Sequence, residues 1–211
     1  MRGNFKIDSA LQLQAKSSMM EPEGGVTFVG AHDHGTGVAP VPSAPVQAVA
    51  PDEFKRQLGA IWSAYRRMAG ALAADDFKGA SGEVDGFRKA LSGVDMKLLS
   101  DEVHMVWMKE LDNLDVPLKA MAEATEIEGM RKQFALLSEA LARAIRDFGV
   151  SPSATVYRLH CPMAFQGRGA DWLQNSPKPV TNPYFGKAMP ECGEVVETIP
   201  SSKPNGGDTH E

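Results

Sequence analysis

Apolar residues recur at steps of three and four along the middle of the chain, the spacing that places them on one face of an α-helix. Four such stripes follow one another between residues 52 and 149, with short polar or glycine-containing stretches between them. The pattern therefore predicts four amphipathic helices. The stripes are formed by Phe54, Leu58, Ile61, Tyr65, Met68 and Leu72; by Phe77, Val84, Phe87 and Leu91; by Leu99, Val103, Val106, Trp107 and Leu114; and by Ile127, Met130, Phe134, Leu137, Leu141, Ile145 and Phe148.

Polar residues beside these stripes predict where the helices begin and end. Asp75 or Asp76 can cap the second helix, because an aspartate side chain accepts hydrogen bonds from the free N–H groups of a first helical turn. The sequence Thr-Glu-Ile-Glu at 125–128 has the spacing of a capping box before the fourth helix. Gly149 is typical of the residue just after a helix. Four helices with short connections predict an antiparallel four-helix bundle over residues 52–149.

The segments that flank the bundle have other patterns. Residues 1–20 alternate apolar and polar positions and predict one short β-strand, while the Pro- and Gly-rich residues 21–51 predict a disordered linker. The helical period disappears in residues 150–199, which predict a loop-rich Cys/Met segment packed on the bundle, with one turn near 169–173. Residues 200–211 predict a disordered tail. The expected fold class is therefore all-α, with a short β remnant at the N-terminus.

Composition limits the function classes. The chain has 211 residues, of which 43% are hydrophobic, enough for one ordinary domain with flanking segments. The net charge of −5 and the lack of a long basic run predict no nucleic-acid partner. No stretch approaches about 18 consecutive apolar residues, so we expect no transmembrane helix. The first residues lack the apolar core of a signal peptide and read as mid-domain sequence, which favours a fragment or a misplaced start.

The chemistry is concentrated in the last third of the chain, which holds both cysteines. Cys161 is followed by Met163, and Met189 precedes Cys192 by three residues. Thiolate and thioether sulfurs are soft ligands that suit Cu(I) and similar ions. The two pairs therefore predict two halves of one monovalent-metal site. His160 can add an imidazole, although adjacent residues on an extended segment point in opposite directions.

Other readings of the same residues stay open. A disulfide between Cys161 and Cys192 would close a loop of about 30 residues and stabilise the fold by roughly 3–4 kcal/mol. Zinc is a weaker alternative, because two Cys and one His form an incomplete ligand set and Met is a poor zinc ligand. His32 and His34, in the predicted linker, can bind Cu(II) or Zn(II) loosely or simply be solvated.

Four motifs in this region carry a resemblance to a known family. They are His160-Cys-Pro-Met-Ala, Gly169-Ala-Asp-Trp-Leu-Gln, Asn182-Pro-Tyr-Phe-Gly and Met189-x-x-Cys-Gly. Together they resemble a helical domain of unknown function that is attached to periplasmic adaptor (membrane fusion) subunits of copper/silver efflux pumps. Residues 3–25 look like the end of the adaptor's last β-rich domain, in the matching order.

This resemblance implies a setting for the site. The implied role is to bind Cu(I) or Ag(I) in the periplasm and pass it to a pump of the resistance-nodulation-division (RND) type, with adaptor protomers as further partners. Tyr184 and Phe185 would shield the metal from water or dock their loop onto the bundle. Trp172 would lie over the ion or serve only packing. The chain lacks the adaptor's long hairpin and most of its β-rich domains.

We expect no enzymatic activity, because the sequence has no nucleophile elbow, phosphate-binding loop or His-Glu-x-x-His motif. Two alternatives to a metal carrier remain. One is a structural or interaction module stapled by a Cys161–Cys192 disulfide. The other is a thiol enzyme, which the absence of Cys-x-x-Cys disfavours.

Overall fold

The computed structural model describes residues 50–151 and 155–200. In chain order the elements are α1 (Asp52–Ala73), α2 (Phe77–Ser92), α3 (Asp101–Ala122), α4 (Ile127–Phe148), β1 (Val156–Cys161), the single turn α5 (Ala164–Gly167), β2 (Ala170–Gln174) and β3 (Glu194–Ile199). Two short 3₁₀ turns lie at Met96–Leu98 and Gly186–Ala188.

The four predicted helices are confirmed, and their apolar stripes form the core. Every residue of the first stripe is buried, and so is every residue of the fourth except Ile127, which is partly exposed. An aromatic cluster joins three helices: the Phe54 ring lies 5.2 Å from Trp107 and 5.3 Å from Phe148, centroid to centroid. Trp107 and Phe148 are 5.5 Å apart. Aromatic pairs at these distances add attraction beyond the area they bury.

The helix ends follow the sequence signals in part. Asp76 caps α2 as predicted, since its Oδ1 accepts a hydrogen bond from Gly79 N at 2.8 Å. Gly149 ends α4 with a φ of 74°, a conformation that glycine adopts without steric cost. The predicted capping box at 125–128 is wrong, because α4 begins after Glu126 and no side chain caps it.

The all-α prediction is wrong. The last third of the described chain forms a three-stranded antiparallel sheet in the order β2-β1-β3, and the strand at 170–174 lies where one turn was predicted near 169–173. A register shift against β3 lies between Arg158 and Leu159 of β1. The strands are only five or six residues long, and one extra residue interrupts a period of two, so the sequence shows no alternation. The fold is mixed, four long helices followed by a small sheet.

Hydrogen bonds hold the sheet against the helices. The Tyr65 hydroxyl, on α1, accepts a bond from Leu173 N of β2 at 3.1 Å and contacts Ser138 Oγ of α4 at 2.7 Å. At the edge, the Arg146 guanidinium of α4 donates two bonds to the Glu197 carboxylate of β3, at 2.7 and 2.8 Å. The sheet is therefore fixed to two helices.

Several predictions fall outside the described residues: the strand at 1–20, nearly all of the linker at 21–51, His32 and His34, and the tail from residue 201. Among the described helices, none is both long and apolar enough to cross a membrane.

Candidate metal site

The sheet and the loop before β3 bring the two cysteines together. Cys161 Sγ and Cys192 Sγ lie 3.0 Å apart, although 31 positions separate them in sequence, and neither forms a disulfide. The structure thus places the two cysteines of the Cys/Met motifs in contact. The pair is the centre of the candidate site.

Cys161 is held by regular structure. It is the last residue of β1, pairs with Ala170 of β2, and is fully buried. Paired residues on adjacent strands share a face of the sheet. Cys161 therefore presents a rigid, water-protected sulfur.

Cys192 lies in a loop that Asn182 organises. The Asn182 side chain is fully buried, and its Nδ2 donates to the Cys192 carbonyl oxygen at 2.6 Å. Its Oδ1 accepts from Tyr184 N at 2.8 Å and from Phe185 N at 3.2 Å. A buried amide with all these partners fixes the loop strongly, since each lost bond would leave a buried polar group unpaired. Asn182 was not among the predicted site residues; the Asn-Pro turn was its only signal.

Gly193 lets the loop approach the sheet. Its φ is 149°, and a Cβ at this position would overlap the Trp172 indole. A residue with a side chain would fit neither the backbone conformation nor the space. Gly193 thus allows Cys192 to come within contact of Cys161.

The two methionines border the thiol pair. The Met189 carbonyl accepts a hydrogen bond from Cys192 N at 3.4 Å, and the Met163 backbone donates to the Cys192 sulfur. Their side chains are exposed by 36% and 55%, respectively. The structure thus places the backbones of both methionines beside Cys192, with their side chains at the surface.

The contact with Cys161 affects the acidity of Cys192. The pKa of the Cys192 thiol is raised, first by its hydrogen bond with Cys161, then by burial and by the charge of Cys161. The hydrogen bond from the Met163 backbone lowers this pKa in part. Two thiols in contact resist losing both protons, because the thiolates would repel each other; a bound cation removes that repulsion.

The His160 side chain lies on the other face of the sheet from Cys161. It pairs across the sheet with Asp171, whereas its neighbour Cys161 pairs with Ala170 on the other face. His160 Nδ1 lies 2.5 Å from Asp171 Oδ1, and the ring packs over Gly169. Asp171 also accepts hydrogen bonds from Arg158. The imidazole thus belongs to a polar network on the face opposite the thiols.

The three aromatic residues predicted to support the site, Trp172, Tyr184 and Phe185, are all at least partly buried. Trp172 is fully buried and meets Tyr184 edge to face, with 6.0 Å between the rings. The Tyr184 hydroxyl donates to the Asp171 carbonyl oxygen, and burial raises the pKa of this tyrosine well above its usual value. Phe185 is partly buried and packs against the core. Trp172 and Tyr184 thus pack on each other, and the Trp172 indole lies against Gly193, the neighbour of Cys192.

Two charged residues that were not predicted as site residues connect the loop between β2 and β3 to the helices. Arg131 of α4 is buried and donates to Pro183 O at 2.8 Å, to Leu72 O at 2.9 Å and to Asp75 Oδ1 at 2.6 Å. Asp75 Oδ2 accepts from Lys187 N at 3.0 Å. The backbone bond from Lys187 and then the bond from Arg131 lower the pKa of Asp75. Asp75 has a φ of 59°, which is unusual for a residue other than glycine, and no sequence pattern indicates it.

The donor set distinguishes among metals. In the described ranges, no group of three or more His, Cys, Asp and Glu side chains is placed to hold a metal ion. Zinc sites use three or four such ligands. The predicted ligands that the structure brings into contact are the two thiols, and soft sulfur donors favour a soft ion of low coordination number.

Comparisons with known proteins give one match. Residues 61–153 match the model of a family described as a protein of unknown function (DUF3347). The match spans most of the helical part and ends before Cys161, so it includes none of the predicted metal ligands. No curated protein matches the chain, and no solved structure matches it.

Proposed function

We propose that this chain binds one soft monovalent ion, Cu(I) or Ag(I), between Cys161 and Cys192. The observation that carries the proposal is the 3.0 Å contact between the two thiol sulfurs, next to two exposed methionines. With metal–sulfur bonds of about 2.3 Å, as in zinc thiolates, a linear two-coordinate ion would hold the sulfurs about 4.6 Å apart. The sulfurs must therefore separate by roughly 1.5 Å.

The loop is the part that moves in this proposal. Cys161 is fixed in β1, while the backbone of Cys192 is held through its carbonyl oxygen and N–H. In this proposal the Cys192 side chain rotates outward and exchanges its sulfur contacts with Cys161 and the Met163 backbone for the ion. Met163 and Met189 then act as entry ligands at the surface. Exposed thioethers allow the ion to be exchanged with sulfur ligands of a partner, so binding is selective and still reversible.

The cellular role in this proposal is delivery of the ion to an RND-type efflux pump in the periplasm, with adaptor protomers as partners. The resemblance of the four Cys/Met and aromatic motifs supports this part. A growth test addresses it: in the organism that encodes the chain, C161S should reduce copper and silver tolerance. Unchanged tolerance would contradict an efflux role.

Metal binding itself is tested by anaerobic Cu(I) titration of the reduced full chain against a chromophoric chelator. We expect one equivalent, weakened by at least about a hundredfold in C161S and C192S. M163L and M189L should each weaken binding by about tenfold, or 1.4 kcal/mol. M105L is the matched control, because Met105 on α3 is 71% exposed and remote from the thiols in sequence. No competition with the chelator, or full affinity in C161S, would overturn the proposal.

A second candidate is an interaction module stapled by a Cys161–Cys192 disulfide, which the same short sulfur contact favours. It predicts no free thiols in protein isolated from an oxidising compartment, and no effect of M163L or M189L. The metal-binding site predicts that the same sample binds Cu(I) once any disulfide is reduced, and that M163L and M189L weaken this binding.

A further inference from the structure

The two cysteines differ in accessibility. Cys161 is fully buried at the end of β1, whereas Cys192 is partly exposed in the loop before β3. A dissolved reagent can therefore reach Cys192 first, and Cys161 only through it. The two sulfurs are close enough to react with each other after a small movement of the Cys192 side chain.

We propose that Cys161 and Cys192 also form a thiol–disulfide switch, in which a small disulfide oxidises the pair through Cys192 and so prevents metal binding. This inference rests on the proposed function and adds its regulation. The reaction partner is a low-molecular-weight disulfide, written RSSR, of the glutathione type.

The chemistry has two exchange steps. The Cys192 thiolate attacks one sulfur of RSSR, forming a Cys192–SR mixed disulfide, and RS⁻ leaves and takes up a proton. The Cys161 thiolate then attacks the Cys192 sulfur, forming the Cys161–Cys192 bond and releasing a second RSH. Two protein thiols lose two electrons, and RSSR gains them to give two RSH.

The disulfide removes the metal site because it consumes both thiolates. Only the thioethers of Met163 and Met189 remain, and neutral thioethers bind Cu(I) more weakly than thiolates. The main-chain anchors of the loop do not involve either sulfur, since Asn182 holds the Cys192 carbonyl oxygen. The switch therefore operates by a side-chain movement, with the fold retained.

The order of attack is tested without metal, on the reduced full chain with oxidised glutathione and mass spectrometry. The wild type should form the intramolecular disulfide. C161S should accumulate a stable glutathione adduct at Cys192, and C192S should react at least about tenfold more slowly, because its remaining thiol is buried. Equal rates for the two variants in the native state would overturn the assigned order.

A denaturant control separates protection by the fold from intrinsic reactivity. In concentrated guanidinium chloride, C161S and C192S should react at similar rates. Should C192S fail to fold, the wild type decides: with limiting oxidised glutathione and rapid acid quenching, peptide mapping should find the first adduct on Cys192. A first adduct on Cys161 would contradict the proposal.

The metal arm compares reduced and oxidised wild type in a silver titration. Oxidised protein should bind Ag(I) at least about a hundredfold more weakly, and a thiol reductant should restore binding. Equal affinity in both states would overturn the switch while leaving metal binding in place. If the reduced protein binds no Ag(I) or Cu(I), the proposed function and the gating both fail, whereas the thiol-exchange result stands separately.

Discussion

The Asn182 side-chain amide donates a hydrogen bond to the Cys192 carbonyl oxygen, with 2.6 Å between Nδ2 and O. The same side chain accepts bonds from two backbone N–H groups of its own turn. One buried residue thus closes the turn that carries Tyr184 and Phe185 and connects it to the backbone of Cys192. We regard Asn182 as the positioning residue of the site.

Replacement of Asn182 by Ala should deprive three backbone groups of these bonds, one of them buried and two partly buried. We expect N182A to lower the free energy of unfolding by about 2–3 kcal/mol, measured by guanidinium chloride denaturation. Asn175 is exposed, so N175A is the matched control, with an expected change within about 0.5 kcal/mol. Similar losses in the two variants would show that Asn182 has no special structural role.

Replacement by alanine should change the free energy of unfolding in opposite directions at Gly193 and at Gly82. G193A places a Cβ against Trp172 in a backbone conformation that only glycine adopts readily, and should lower the free energy of unfolding by about 1–3 kcal/mol. Gly82 lies inside α2 with nothing within 4 Å of an added Cβ. G82A should therefore raise the free energy of unfolding by about 0.5–1 kcal/mol. Thermal or denaturant unfolding of both variants tests the pair, and a stabilising G193A would refute the close approach to Trp172.

The lowered pKa of Asp75 should make the folded protein less stable in acid. Its pKa is lowered in the folded protein, mainly by the Lys187 backbone bond and by Arg131, below the ordinary value of about 3.9. Above that value both states are ionised and the full contribution is present. As the pH falls, the unfolded chain takes up the proton first, and the contribution is lost as the pH passes through the lower folded-state pKa.

The variant D75N tests this dependence, because asparagine also tolerates the positive φ at this position. D75N should be less stable than wild type at about pH 7, and the difference should shrink towards about pH 3. Urea unfolding across this range gives the measurement, with D85N, at an exposed aspartate of α2, as the control. Some pH dependence will persist in D75N, since the bond from Arg146 also lowers the pKa of Glu197. A D75N curve parallel to that of the wild type would contradict the role of Asp75.

We expect that replacement of His160 will not weaken Cu(I) binding. Because its imidazole pairs with Asp171 on the face opposite Cys161, H160Q should change the Cu(I) affinity by no more than about twofold, the limit expected for independent sites. Chelator competition under anaerobic conditions gives the measurement, with C161S as the reference for loss of a ligand. A loss in H160Q comparable to that in C161S would restore histidine to the ligand set.

The sheet was not predicted, because its strands carry no clear local pattern in the sequence. β1 and β3 pair across more than thirty intervening residues, and the register shift after Arg158 breaks the alternation that marks a strand. β2 places two buried apolar residues side by side, Trp172 and Leu173, so it lacks the alternation that marks a half-buried strand. The helices were found because each contributes four or more apolar positions to one local period.

The sequence by itself determined the four helices, a cap for α2 at Asp75 or Asp76, and the end of α4 at Gly149, and it supplied the Cys and Met residues from which a soft-metal site is proposed. These features depend on periods, caps and ligand chemistry that act over a few residues. Only the tertiary structure decided that Cys161 is buried and Cys192 accessible, that His160 turns away towards Asp171, and that Asn182, Asp75 and Arg131 hold the loop. The physical reason is that these relationships arise from strand register and from hydrogen bonds between distant segments, which no local pattern encodes.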